Sequence, residues 1–273
     1  MIIGISGRKQ AGKNTTANIL HGIVLKNIGA IQDWNISASG QLMVNTNDNA
    51  GWGEFDISRK DKHFLEYAEY NMWPYVKLYS FADSLKWMCT ELFDIPYECV
   101  WGTNEQKNQL QEHLLWENMP DVITDKDFYD AAMNNQYGAG VKNHVSKMTY
   151  HESGPMTARE FMQYMGTEVM RKMYEPIWVK ACIKKIQREQ SELAIIADVR
   201  FPNEAKAIEQ AGGTLIRLTR KVFSEDNHSS EVALDNYRFC NIIDNDDESI
   251  DGLIAKVKSL YLNLMKPLYL NQG

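Results

Sequence analysis

Long apolar runs are missing from this chain of 273 residues, and no stretch reaches the ~18 residues that would span a bilayer, so a membrane partner is not expected. Cysteine is scarce. Cys89, Cys99, Cys182 and Cys240 stand alone with no metal-ligand spacing, which excludes a disulfide scaffold and a zinc cluster. They read as reduced, mostly buried thiols, and a cytoplasmic location is expected. Positive charge is in deficit: 29 Lys and Arg against 36 Asp and Glu give a net charge of −7. A nucleic-acid polymer demands a basic surface, so it is excluded as partner, whereas a single nucleotide needs only a few local cations. Repeats and low-complexity segments are absent too. The chain opens on the apolar residues of a core strand, so no signal peptide is expected.

What is present begins at the first residue. Met1-Ile2-Ile3-Gly4-Ile5-Ser6 is an apolar strand, Gly7 to Thr16 is a glycine-bearing loop, and Ala17, Ile19, Leu20, Ile23 and Val24 mark a helical stripe. Strand, loop and helix in that order are the context of a phosphate-binding loop, and a nucleoside triphosphate is the expected ligand. Gly7 and Gly12 let backbone N–H groups turn inward, and the helix start aims its free amides at the same anion. Lys13 supplies an ammonium for the β- and γ-phosphates. Asn14 stands where Ser or Thr is usual, with hydroxyls following at Thr15 and Thr16. Asn14 could therefore offer a carbonyl oxygen to Mg²⁺ or hold it through water.

Further along, Gln32 to Ser58 reads as a hairpin-bearing insertion, and Val76 to Phe81 as a strand. A helix is expected from Leu85 through Phe93 with Asp83 or Ser84 as N-cap. Trp101 to Pro155 is polar and irregular, a loop-rich insertion without an apolar set for its own core. Thr157 to Tyr174 predicts one long helix burying Ala158, Phe161, Met162, Met165, Val169 and Met173. Arg159, Gln163 and Thr167 share a neighbouring polar face, either solvated or ligand-facing. Gly166 costs that helix roughly 1 kcal/mol against Ala, which a ligand or a close backbone approach would explain. Leu193 to Val199 is a buried strand, Pro202 to Gln210 a helix stopped at Gly212-Gly213, and Thr214 to Leu218 the next strand, a βαβ unit with parallel strands. Asn241 to Asp244 predicts a last strand, and Ile250 to Met265 an amphipathic helix that covers the sheet or supports a homodimer.

The expected fold is α/β: a three-layer sandwich with a mostly parallel central sheet, helices on both faces and inserted lid or loop segments. One domain over 1–273 is expected, with insertions at about 32–75 and 101–155. In such sheets ligands bind at the carboxyl ends of the strands, where Lys13, Asp83, Lys86, Asp198 and Arg200 fall and should converge on one crevice. Asp198 is placed to organise a metal or to cap a helix. Arg159 and Arg200 are planar forks suited to phosphate, or else surface ion pairs. The cations Lys9, Lys13, Lys86, Arg159 and Arg200 suit the joining of two anionic groups, phosphoryl transfer rather than hydrolysis.

Asp198-Val199-Arg200-Phe201-Pro202-Asn203-Glu204-Ala205 resembles a signature of bacteriophage deoxynucleoside monophosphate kinases. So do Met162 to Glu168 with Trp178-Val179-Lys180, the loop with Gly12-Lys13 and two threonines, Phe81 to Lys86, and His228-Ser229-Ser230-Glu231. These segments follow the family's order, with 32–58 and 108–150 outside the resemblance. The resemblance implies a P-loop fold and transfer of the γ-phosphoryl of ATP to a deoxynucleoside 5′-monophosphate. It implies that Gly12, Lys13, Asn14, Thr15 and Thr16 hold ATP, and that Lys13, Arg159 and Arg200 are catalytic. Lys9, Leu85, Lys86, Lys107, Arg159, Gly166, Thr167, Trp178, Asp198, Arg200 and Glu204 would hold the acceptor, with Trp178 either walling the base or lying in the core. Mg²⁺ would be held by Asn14 and Asp198, directly or through water. The family's usual acidic residue after the loop lysine is Asn14 here, so the chain departs from the pattern at the metal. The segments 101–155 and 221–236 are candidate lids. Two other readings stand beside this one: a P-loop kinase for another phosphorylated metabolite such as phosphomevalonate, and a non-catalytic ATP-binding regulator.

Overall fold

Isoleucines at 2, 3 and 5 pack on alternate faces of the first strand, β1 (Ile2–Gly7), which becomes the centre of a parallel sheet. The computed structural model describes residues 1–46, 51–59, 61–220, 233–246 and 249–270, with backbone only for 266–270. After β1 come α1 (Lys13–Asn27), β2 (Asp33–Ile36), β3 (Leu42–Asn45), β4 (Trp52–Glu54), α2 (Lys62–Asn71) and β5 (Val76–Tyr79). Next are α3 (Asp83–Leu92), α4 (Tyr97–Trp101), α5 (Asn104–Lys107), β6 (Leu110–Leu115), β7 (Val122–Ile123), α6 (Lys126–Met133), α7 (Ala139–Val145), β8 (Thr149–Tyr150), β9 (Pro155–Thr157) and α8 (Ala158–Gln163). A π-helical stretch (Tyr164–Arg171) leads to α9 (Ile177–Glu189), β10 (Leu193–Val199), α10 (Pro202–Gln210), β11 (Thr214–Thr219), β12 (Asn241–Asp244) and α11 (Ile250–Leu270). The chain divides into two compact units, Met1–Phe81 with Val179–Gly273, and Ala82–Trp178.

The first unit is an α/β sandwich. Its five strands run in the order β12-β11-β1-β10-β5, every neighbouring pair parallel. Ile3, Ile5, Ile195 and Ile216 face a core shared with α1, α2 and α11. Ile2, Ala194, Ile196 and Leu215 face the opposite core, built with α9 and α10. The helices that follow β1 and β10 thus lie on opposite faces, and a crevice at the carboxyl ends of two such neighbouring strands is where an open α/β sheet binds ligands. Gly4 lets α10 come close: a Cβ there would sit 2.6 Å from Ile208 Cδ1. The hairpin expected in 32–58 forms as an antiparallel sheet β2-β3-β4, whose Trp34, Ile36, Leu42 and Val44 join the main core. α11 covers the sheet through Leu253, Ile254, Val257 and Tyr261. Among the described residues no helix is long and apolar enough to cross a membrane.

The second unit corrects several expectations. The stretch 101–155 read as irregular carries α5, β6, β7, α6, α7 and β8, and its Leu114 and Trp116 pack with Cys89, Ile95, Met156 and Phe161. Asp83 does not cap α3; the N-cap is Ala82, and Asp83 lies in the first turn, where its charge still suits the helix dipole. The single long helix over 157–174 is α8 followed by the π-helical stretch. Hydrogen bonds from i to i+5 in that stretch rotate the faces that follow. Ala158 and Phe161 are buried and Met162, Met165 and Val169 pack against the same core, but Tyr164 and Gly166 are buried as well, and Met173, expected in the stripe, is 78% exposed. Thr157 begins α8 with a capping box: its hydroxyl accepts from Glu160 N and Glu160 Oε2 accepts from Thr157 N.

Candidate functional site

The loop between β1 and α1 has a backbone and a charge balance that suit an anion. Gln10 and Gly12 take left-handed backbone angles, φ 63° and 98°, and α1 begins at Lys13 with no acidic residue in its first turn. Its positive end is therefore not offset locally. Lys13 Nζ donates to Gly7 O at 2.6 Å and Arg8 O at 2.8 Å, so the ammonium lies against the loop. A side chain at Gly12 would meet Asn245 Nδ2 at 2.9 Å, so the loop is closed against any larger residue. Asn14 is exposed, Thr15 is half-buried beside Gly40, and the Thr16 hydroxyl is fully buried without a hydrogen-bond partner among the described residues.

Four residues from the last quarter of the chain brace this loop and the strand before it, and sequence reasoning assigned none of them to the loop. Asn245, the residue after β12, donates to Ala11 O at 3.0 Å in a buried contact. Arg220 donates to Gln10 O at 3.3 Å. Asp235 accepts from Arg8 and from Arg217, both at 2.5 Å, and Arg217 also donates to Ser6 Oγ at 3.0 Å. The rule that site residues gather past strand ends, applied to 241–244, would have pointed to Asn245.

Beside the loop, Ser6 pairs in register with Val199, so the carboxyl ends of β1 and β10 are neighbours. Asp198 stands at that end of β10 and accepts from Ser80 Oγ at 3.1 Å. Arg200 is exposed just beyond. Glu204 is buried, and its Oε2 accepts from Arg200 N at 2.7 Å and Phe201 N at 3.0 Å. It therefore fixes the turn that carries Asp198 and Arg200. The oxygen donors of Asn14 and Asp198 suit Mg²⁺, which takes one or two protein oxygens and completes its shell with phosphate and water. No group of three His, Cys, Asp or Glu side chains placed to hold a metal occurs among the described residues.

In the second unit, Lys86 lies over the Trp101 ring at 4.3 Å, and Tyr97 stacks on that ring at 5.9 Å. Arg159 donates from Nε to Asn108 Oδ1 at 2.9 Å and from Nη2 to Asn104 Oδ1 at 2.8 Å. Lys107 sits in sequence between those asparagines. Leu85 packs on Gly166, where a Cβ would meet Leu85 Cδ2 at 2.8 Å, so close packing by a side chain accounts for that glycine. Trp178 is buried and donates to Gly166 O at 3.0 Å, while Thr167 is exposed. Lys9, Lys13, Asp198 and Arg200 thus belong to the first unit, and Asp83, Lys86, Lys107 and Arg159 to the second. His228 to Glu231, and residues 221–232 of the expected lid 221–236, lie outside the described residues.

The sequence model of the family described as deoxynucleotide monophosphate kinase matches residues 45–257, running through 108–150, which the resemblance in sequence leaves out. The chain is also 27% identical over 196 residues to a protein of Acanthamoeba polyphaga mimivirus named deoxynucleotide monophosphate kinase, covering 66% of this chain and 80% of that one. It is 24% identical over 122 residues to a deoxynucleoside-5′-monophosphate kinase of Escherichia phage T5, covering 41% of this chain and about half, 49%, of that enzyme.

Proposed function

Because the chain belongs to the deoxynucleotide monophosphate kinase family, we propose that it transfers the γ-phosphoryl group of ATP to a deoxynucleoside 5′-monophosphate, giving ADP and the diphosphate. The observation that carries this reading is the phosphate loop, with Lys13 folded onto it at the carboxyl end of the central strand. In this reading Gly12, Lys13, Asn14, Thr15 and Thr16 hold the triphosphate. Loop N–H groups and the start of α1 take up its charge, and Lys13 exchanges its carbonyl acceptors for β- and γ-oxygens. Mg²⁺, when bound, offsets the charge of those oxygens, and Asn14 and Asp198 are the residues to hold it, directly or through water.

The acceptor phosphate is already a nucleophile, so no general base is needed and positioning does the work. Arg159, Lys86, Lys107 and Lys9 are the cations assigned to it. Leu85, Gly166, Thr167, Trp178, Asp198 and Glu204 surround or support the nucleoside, Glu204 by fixing the Asp198–Arg200 turn and Trp178 by fixing the backbone at Gly166. Arg200 shares the charge of the transferred group.

The test is ADP formation from ATP and Mg²⁺ with dAMP, dGMP, dCMP, dTMP and hydroxymethylated pyrimidine monophosphates offered one at a time. Stimulation by at least one is expected. ATP binding with no stimulation by any of them would overturn the reading in favour of another acceptor or of a regulator.

A further inference from the structure

The guanidinium of Arg159 is held by two side chains, and both are neutral. A guanidinium only donates, so Asn104 and Asn108 must each present the amide oxygen, at 2.8 and 2.9 Å. Those oxygens are neutral. Among the described residues no carboxylate forms an ion pair with Arg159, whereas Arg8, Arg59 and Arg217 each meet an aspartate. The asparagines are themselves fixed. They stand four apart, at the first residue of α5 and just past its end, so both face one side of it. α5 is pinned by its own capping box, Thr103 Oγ1 accepting from Gln106 N and Gln106 Oε1 from Thr103 N. Arg159 is fixed from the other side by the capping box of Thr157 and Glu160 at the start of α8.

We propose that Asn104 and Asn108 are positioning residues for acceptor binding: they fix the Arg159 fork through neutral oxygens, so that its full charge is kept for the phosphate of the incoming monophosphate. This rests on the reading that Arg159 holds that phosphate. An aspartate at either position would orient the guanidinium as well or better, yet would spend its charge on an internal ion pair. Geometry and charge therefore separate experimentally, because aspartate keeps the first and removes the second, while alanine removes the first and keeps the second.

The experiment measures steady-state kinetics of the full chain with each of the four common deoxynucleoside monophosphates, for wild type, Asn104→Ala, Asn108→Ala, Asn104→Asp, Asn108→Asp and Arg159→Ala, with Tm for each. Both asparagines are exposed, so the variants should keep the wild-type Tm. The alanine variants should raise KM for the monophosphate about tenfold, the scale of one hydrogen bond to a charged group, with KM for ATP unchanged. The aspartate variants should raise it further still, with Tm equal to or above wild type. A merely structural pair predicts the reverse, aspartate variants with wild-type kinetics, and that result would overturn the inference while leaving the acceptor reading intact. Wild-type turnover that Arg159→Ala leaves unchanged would instead remove the acceptor role of Arg159, and the inference with it. So would a wild type that turns over none of the four and none of the hydroxymethylated pyrimidine monophosphates.

Discussion

A lysine ammonium that donates to two backbone carbonyls has exchanged part of its water shell before any phosphate arrives. Lys13 does this at Gly7 O and Arg8 O, so part of its desolvation is complete in the free loop. Lys13→Ala should therefore cost turnover rather than fold: kcat is expected to fall about a thousandfold, as for loss of a charge-stabilising donor, with Tm near wild type. Arg159 should separate differently. Loss of a charge-assisted fork to phosphate is expected to raise KM for the monophosphate about ten- to a hundredfold, with KM for ATP little changed. Parallel loss for both substrates would contradict an acceptor role. At this scale the sequence exposes cations well, because Lys and Arg past strand ends announce themselves. It hides their supports. Asn104 and Asn108 are neutral residues in a polar stretch, and Asp235 meets Arg8 across 227 positions of chain, a pairing no local pattern encodes.

Among the elements, β1, β10 and β12 were legible because each is a short apolar run closed by turn residues, and Leu193–Val199 and Asn241–Asp244 match the expected limits. The strands of the second unit were not. β7 and β8 have two residues each and β9 three, too few to display an alternation. The π-helical stretch was also illegible, since an extra residue per turn over eight residues leaves apolar spacing within the range of an ordinary helix. The contact of α1 with the small antiparallel sheet gives a direct test. A Cβ at Gly22 would stand 2.5 Å from Trp34 Cδ2 and 2.7 Å from Cε3, in a ring enclosed by core. Alanine at that position gains roughly 1 kcal/mol of helix propensity, but overpacking costs about 1–3 kcal/mol. Gly22→Ala is expected to leave stability unchanged or lower it by up to about 2 kcal/mol in a denaturant titration. A variant more stable than wild type would show that β2 yields freely to α1.

Across the whole molecule, one buried histidine gives stability a pH dependence. Burial drives the pKa of His21 down to about 4 from 6.5, opposed by its contact with Ala17 O, so it stays neutral in the fold. As pH falls through 6.5 the unfolded chain takes up this proton and the folded chain does not. The contribution is therefore complete above pH 6.5 and lost progressively toward pH 4, about 3 kcal/mol in all. Chemical denaturation at pH 7 and pH 4.5 should show that loss, and His21→Leu should flatten this part of the profile. An unchanged slope in the variant would assign the acid limb to carboxylates instead.

The position of β1 has a consequence for how the chain is made. β1, the earliest in chain order of the five strands of this sheet, lies at its centre, and both its neighbours, β10 and β11, begin beyond residue 190. Asn245, which props the loop, follows later still. During synthesis β1 and its loop therefore wait, unpaired, for most of the chain, and closing contacts so distant in sequence is slow. A nascent chain halted before residue 193 carries every residue of the phosphate loop and cannot form the sheet that shapes it. The shape of the loop after β1 is therefore settled only when the strands that flank β1, and Asn245, have been made.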